Sequence, residues 1–147
     1  MSGGHAELVR RACQAWCDGD ISVYREMYAP DVVAEGGGLW PEGEGSARGV
    51  EAVMASFESI LNAFERSELV PMRFVGKGDA LAAELVWRGV LPGAERPVEQ
   101  QLVCAYRFRD GLINYTAWYP DLEHALEALG LGELLAEGAA AQQDTAG

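Results

Sequence analysis

The hydrophobic period of this chain changes once, near Glu68, from 3.6 residues to 2, and that single change fixes the class of fold. Upstream, Leu8, Val9, Ala12, Cys13 and Trp16 recur at helical spacing until Gly19 stops the pattern. Ile21, Tyr24, Met27 and Tyr28 then share one face of a second short helix, with Asp20 as its N-cap and Pro30 as its end. DVVAE at 31–35 reads as a short strand, and GGGLWPEGEG at 36–45 as a glycine-rich loop that presents Trp40. Gly49 opens a third helix carrying Val50, Val53, Met54, Phe57, Ile60, Leu61 and Phe64.

Downstream, four strands are expected at about 68–76, 80–90, 97–109 and 112–119, separated by the turn compositions GKGD, LPGAERP and RDG. Leu81, Ala83, Leu85 and Trp87 oppose Ala82, Glu84, Val86 and Arg88. Leu102, Cys104, Tyr106 and Phe108 oppose Gln101, Val103, Ala105 and Arg107. One apolar and one mixed face is the pattern of a sheet covered by helices on one side. In the first of the four strands Val70, Met72 and Phe74 compete with Leu69, Pro71 and Val75 for the interior. LEHALEAL follows as a closing helix, with Asp121 as N-cap and Gly130 as C-cap residue. Helices followed by a strand meander is an α+β order. It predicts a cone-shaped curved antiparallel sheet wrapped around three N-terminal helices, open at one end as a small-molecule pocket. One domain is expected over 1–131, with 132–147 a partly disordered tail.

The chain has 147 residues with 11 Lys+Arg against 23 Asp+Glu, a net charge of -12. That balance argues against nucleic acid or an anionic membrane as partner, since both are bound through Lys and Arg. No apolar run approaches a membrane span and MSGGHAELVRR lacks the core of a signal peptide, so a cytoplasmic location is expected. Cys13, Cys17 and Cys104 are then reduced and read as small buried apolar residues. With two histidines, His5 and His124, and no CxxC, no metal site is expected. The glycine-rich loop lacks GxxxxGK[ST], and its glutamates would repel phosphate.

GDISVYREMYAPDVVAEG, the Gly49-led helix and YRFRDGLINYTAWYPDLEHALEALGL together resemble the nuclear transport factor 2-like superfamily in its SnoaL-like, polyketide cyclase-related branch, over about residues 5–131. The resemblance implies the cone fold and a homodimer through the outer sheet face, at Glu99, Gln101, Val103, Ala105, Tyr115 and Tyr119. It does not carry over the relatives' catalytic groups. The general base, tyrosine and acid of a ketosteroid isomerase fall on Gly36, Ala12 and Cys104. The Asp-Arg-Asp relay of a limonene epoxide hydrolase falls on Trp87, Leu85 and Trp118, and its Tyr and Asn on Ala34 and Gly36. The aspartate of SnoaL-type cyclases aligns near Trp118, three residues before Asp121.

The same alignment implies a lining of Cys13, Trp16, Tyr24, Tyr28, Leu69, Leu85, Trp87, Gln100, Leu102, Cys104, Tyr106, Asn114, Thr116 and Trp118. Such an aromatic, neutral lining suits a flat hydrophobic ligand, polyketide-like or steroid-like. Three side chains are candidates for chemistry: Glu35 as acid or base, and Tyr28 and Tyr106 as donors to a developing oxyanion. Strand phase turns Glu84 outward, toward Arg88 or Arg107, and turns Glu35 outward too unless a bulge intervenes. Arg73 has no assigned face, His124 sits on the closing helix near the mouth, and Trp40 is a candidate lid or subunit contact. Two functions are therefore expected as alternatives. One is a cofactor-independent cyclase, isomerase or dehydratase working by acid/base chemistry, and the other a non-catalytic ligand-binding or accessory dimer.

Overall fold

A computed structural model describes residues 2–35 and 46–135. Trp40 and Gly36, and the tail beyond Leu135, lie outside the described residues. Helix α1 (Ser2–Asp18) ends where Gly19 takes φ 75° and the amides of Gly19 and Asp20 return to the carbonyls of Trp16 and Ala15. The second helix, α2 (Tyr24–Met27), is only four residues long. Asp20 caps a turn before it, accepting from the Ser22 amide, and Tyr28 is already extended and paired with Ile113. Strand pairing has therefore taken Tyr28 from the helix that periodicity gave it.

The strands are β1 (Tyr28–Glu35), β2 (Ser46–Arg48), β3 (Arg66–Lys77), β4 (Ala80–Val90), β5 (Val98–Arg109) and β6 (Leu112–Tyr119), with α3 (Val50–Ala63) between β2 and β3. They form one sheet in the order β2-β1-β6-β5-β4-β3, antiparallel except for β1 beside β6. The three-residue β2 was not expected, since three residues are too few to show a period. Hairpin turns fix the register of the meander. Asp110 and Gly111, at φ 56° and 80°, make the type I′ connection between β5 and β6.

Strand β3 resolves its own ambiguity through a bulge. Ser67, Leu69 and Pro71 hold one phase, the register slips between Pro71 and Arg73, and Phe74 then points inward while Val75 joins the opposite face. No single alternation describes such a strand.

Helix α4 (Leu122–Ala128) corrects the expectation of a sheet covered on one side. Asp121 caps it by accepting from the His124 amide at 2.9 Å, and Gly130 closes it with Leu131 N bonded to Leu126 O. It packs Ala125, Leu126 and Leu129 onto Val75, Ala82, Val103 and Ala105, on the outer face. A 3₁₀ turn, Gly132–Leu135, adds the buried Leu134 to that layer, so the packed chain runs past residue 131. Four of the six residues of the expected dimer surface, Val103, Ala105, Tyr115 and Tyr119, thus pack into the layer formed with the chain's own C-terminal segment.

Candidate functional site

Phe57, projecting from α3, decides how much of the cone is open. Its ring meets Trp16, Tyr24, Tyr28 and Trp118 edge-to-face, at centroid distances of 5.8, 6.0, 6.2 and 5.3 Å. Tyr24 stacks on Tyr28 at 5.0 Å and donates its hydroxyl to the Ala12 carbonyl at 2.7 Å. Tyr106 stacks on Phe108, which lies parallel to His5 at 4.0 Å. Cys104 Sγ and Thr116 Oγ1 are 3.5 Å apart. Of the fourteen residues of the implied lining, Cys13, Tyr24, Tyr28, Leu85, Cys104, Tyr106 and Thr116 are packed core. Asn114 sits at the β5–β6 register shift, its Oδ1 buried with no hydrogen-bond partner among the described residues.

The remaining six, Trp16, Leu69, Trp87, Gln100, Leu102 and Trp118, line an open slot at the mouth, together with two residues that the alignment did not supply, Ile60 on α3 and Phe64 just past its end. The cavity is about 80 Å³. That is room for two or three waters at roughly 30 Å³ each, and less than the roughly 150 Å³ known to hold benzene. A space of that size has room for no more than the edge of one ring.

Ser67, which the sequence reading missed, organises this slot. Its buried hydroxyl accepts from Trp16 Nε1 and from Trp87 Nε1, each at 2.8 Å. A serine oxygen has two lone pairs, and both are used. The indole N–H groups are therefore turned away from a ligand, and Gln100 is the only polar side chain among the lining residues. The signal in the sequence was a lone serine at an inward phase of a strand, legible only once the bulge in β3 has set that phase.

None of the lining residues ionises. Deeper in, burial pushes the Cys13 thiol up to about 12 and the Cys104 thiol up to about 11, and holds the hydroxyls of Tyr24, Tyr28 and Tyr106 well above the usual tyrosine range. All five stay protonated and neutral near pH 7. Glu35 is exposed on the outward phase of β1, where its Oε1 accepts from the Tyr115 hydroxyl at 2.9 Å. Glu84 is outward as expected, but its partner is Arg73, at 2.7 Å, and not Arg88 or Arg107. Arg88 instead bridges Glu99 and Glu68. His124 is exposed on α4, its Nδ1 2.7 Å from Asp121 Oδ1. Asp121 is the helix cap. Among the described residues no group of three or more His, Cys, Asp or Glu side chains is placed to hold a metal, and no helix is long and apolar enough to cross a membrane.

A curved sheet around α1 to α3, with α4 on its outer face and a neutral aromatic slot at one end, is a mixed α+β cone. The SnoaL-like domain family matches residues 9–116, and the chain belongs to it, within the nuclear transport factor 2-like superfamily. No curated protein matches the sequence. Among solved structures it is similar to a proposed SnoaL-like polyketide cyclase from Jannaschia sp. CCS1 (18% identity, TM-score 0.69, covering 88% of this chain and 90% of that one). It is similar too to a loop-truncation variant of IdmH, a proposed polyketide cyclase from Streptomyces antibioticus (26% identity, TM-score 0.66, 85% and 98% covered). A third is AclR, a proposed hydroxylase from Streptomyces galilaeus (20% identity, TM-score 0.66, 88% and 97% covered).

Proposed function

We propose that the protein binds a neutral, planar, largely apolar molecule edge-on in the mouth slot. The observation that carries this reading is the lining itself: three indoles, four other apolar side chains and one amide, with no ionisable group. A charged ligand would lose its hydration there with nothing to replace it. A flat ring with one hydroxyl or carbonyl edge stacks on the indoles and leaves that edge to Gln100, whose amide both donates and accepts. The test is a titration with 2-naphthol, followed by tryptophan fluorescence. Saturable quenching is expected, and Gln100→Leu brings the affinity for 2-naphthol down to that for naphthalene. Absence of saturation in the wild-type protein rejects the reading.

The second reading is a cofactor-independent cyclase, isomerase or dehydratase acting on a polyketide-like or steroid-like substrate, and the likeness to IdmH favours it. Tyr28 and Tyr106 would be its proton donors, and since both are buried, Tyr28 against the Phe57 ring, the core side chains over them would have to move. Product formed from an aromatic polyketide intermediate, and lost in Tyr106→Phe, supports this reading over simple binding. A homodimer, in either case, would use the part of the outer face that α4 leaves open, around Val70, Val86 and Gln101. Light scattering reads twice 15.8 kDa if it forms.

A further inference from the structure

The slot has two indole walls from different parts of the chain, joined through one oxygen. Trp16 comes from α1 and Trp87 from β4, 51 and 20 residues from Ser67 in sequence, and both indole N–H groups end on Ser67 Oγ. Directly across the β3–β4 ladder from Ser67 is Gly89. A Cβ built on Gly89 would stand 2.4 Å from Cζ2 and 2.5 Å from Cη2 of Trp87, and 3.1 Å from Cδ1 of Phe64. Gly89 has no positive φ, so what glycine supplies here is room rather than backbone freedom. Trp87 uses that room to lie over the strand, with Phe64 against it edge-on at 4.9 Å.

We propose that Ser67 is the positioning residue of the slot and Gly89 its size-limiting residue. The serine oxygen fixes the angle between the two indole walls, the glycine fixes how far back Trp87 can sit, and together they set which ring systems enter. This rests on the slot reading above. Without the hydroxyl, Trp87, only half-buried, is free to turn its N–H toward water, and a slot with fixed walls becomes a loose one. A loose slot no longer distinguishes planar from bulky molecules. With a methyl group on residue 89, the Trp87 ring is displaced and ring systems of two fused rings lose their place before single rings do.

The experiment compares phenol, 2-naphthol and the bulky 1-adamantanol as probes against the wild-type chain, Ser67→Ala, Ser67→Thr and Gly89→Ala, with the folded state checked by circular dichroism. The wild type prefers 2-naphthol to 1-adamantanol. Ser67→Ala brings that ratio close to one, and Ser67→Thr, which keeps the acceptor, restores it. Gly89→Ala weakens 2-naphthol by about tenfold or more, and phenol by less. The spectroscopic signature is the indole ¹⁵N–¹H pair of Trp16 and Trp87. In Ser67→Ala both signals shift and both exchange faster with solvent, because one acceptor serves both. If Ser67→Ala does not fold, Trp87→Phe at its half-buried site removes one of the two bonds and predicts the same loss of the planar-to-bulky ratio. A wild-type protein that binds none of the probes overturns the slot reading and this inference with it. A wild type that binds, with variants that keep its selectivity or shift only one indole signal, overturns this inference alone.

Discussion

The cone has two aromatic regions, a buried one rich in tyrosine and one of tryptophans that borders an open slot. In the lower interior Tyr24, Tyr28, Cys104, Tyr106 and Thr116 are all buried, and the Phe57 ring, from another element, packs edge-on against Tyr24 and Tyr28. At the mouth Trp16, Trp87 and Trp118 also converge, but α3 ends there, at Ala63, and Phe64 stands at the rim. The difference teaches that a list of inward-facing residues does not say whether they enclose a ligand. One side chain donated by a neighbouring helix decides that, because interiors pack to near crystal density wherever a side chain can reach.

Removing that side chain should erase the contrast. Phe57→Ala is expected to cost about 3–5 kcal/mol of stability in urea unfolding and to let small apolar molecules such as benzene raise the melting temperature of the variant more than that of the wild type. Next in size is Ser67→Ala, which leaves the buried Trp16 N–H without an acceptor and lowers stability by about 1–3 kcal/mol, measured the same way. Trp16→Phe, which removes the orphaned N–H along with part of the ring, should cost less stability in the Ser67→Ala background than in the wild type.

The sealed region can be read chemically as well. In iodoacetamide labelling of the native protein at pH 8, Cys17 should react first while Cys13 and Cys104 stay unmodified until the chain unfolds, because burial both hides their sulfurs and suppresses their thiolates. Labelled peptides seen by mass spectrometry at Cys104 in the native state would show that the lower interior opens.

A smaller effect belongs to the bottom of the cone, where His5 lies flat on Phe108. Burial first, and the N-terminal charge second, hold its pKa below 6.5, with the Asp79 carboxylate acting the other way. The folded state therefore binds fewer protons than the unfolded one over that range. Stability from this stack is complete above about pH 6.5 and falls as the pH drops through the lowered folded value. His5→Phe should flatten the dependence of melting temperature on pH between 7 and 5. The smallest effect of all is expected from Glu35→Gln: with its carboxylate outside, on Tyr115, slot affinity for 2-naphthol should not change.

Much of this fold was legible from local physics. The long strands, α3 and the Asp121 and Gly130 caps follow from period, turn glycines and capping chemistry, all of which act over a few residues. Errors fall where a distant element intervenes. Tyr28 left its helix to pair with Ile113, the bulge in β3 split one strand into two phases, and α4 covered Val103 and Ala105 on a face expected to be open. Among the site residues, Glu84 faced outward as its alternation required, yet its partner was Arg73, because a register slip of one residue brought that arginine across the ladder.

The sequence by itself determined the class of fold, the family and the neutral, aromatic character of the inward faces, since each is carried by spacing along one strand or helix. Only the tertiary structure decided that Phe57 packs among Trp16, Tyr24, Tyr28 and Trp118, that Ser67 ties Trp16 to Trp87, and that a slot of about 80 Å³ opens beside those indoles. Those outcomes depend on side chains tens of residues apart meeting at one point, and a meeting of that kind leaves no periodic trace in the chain.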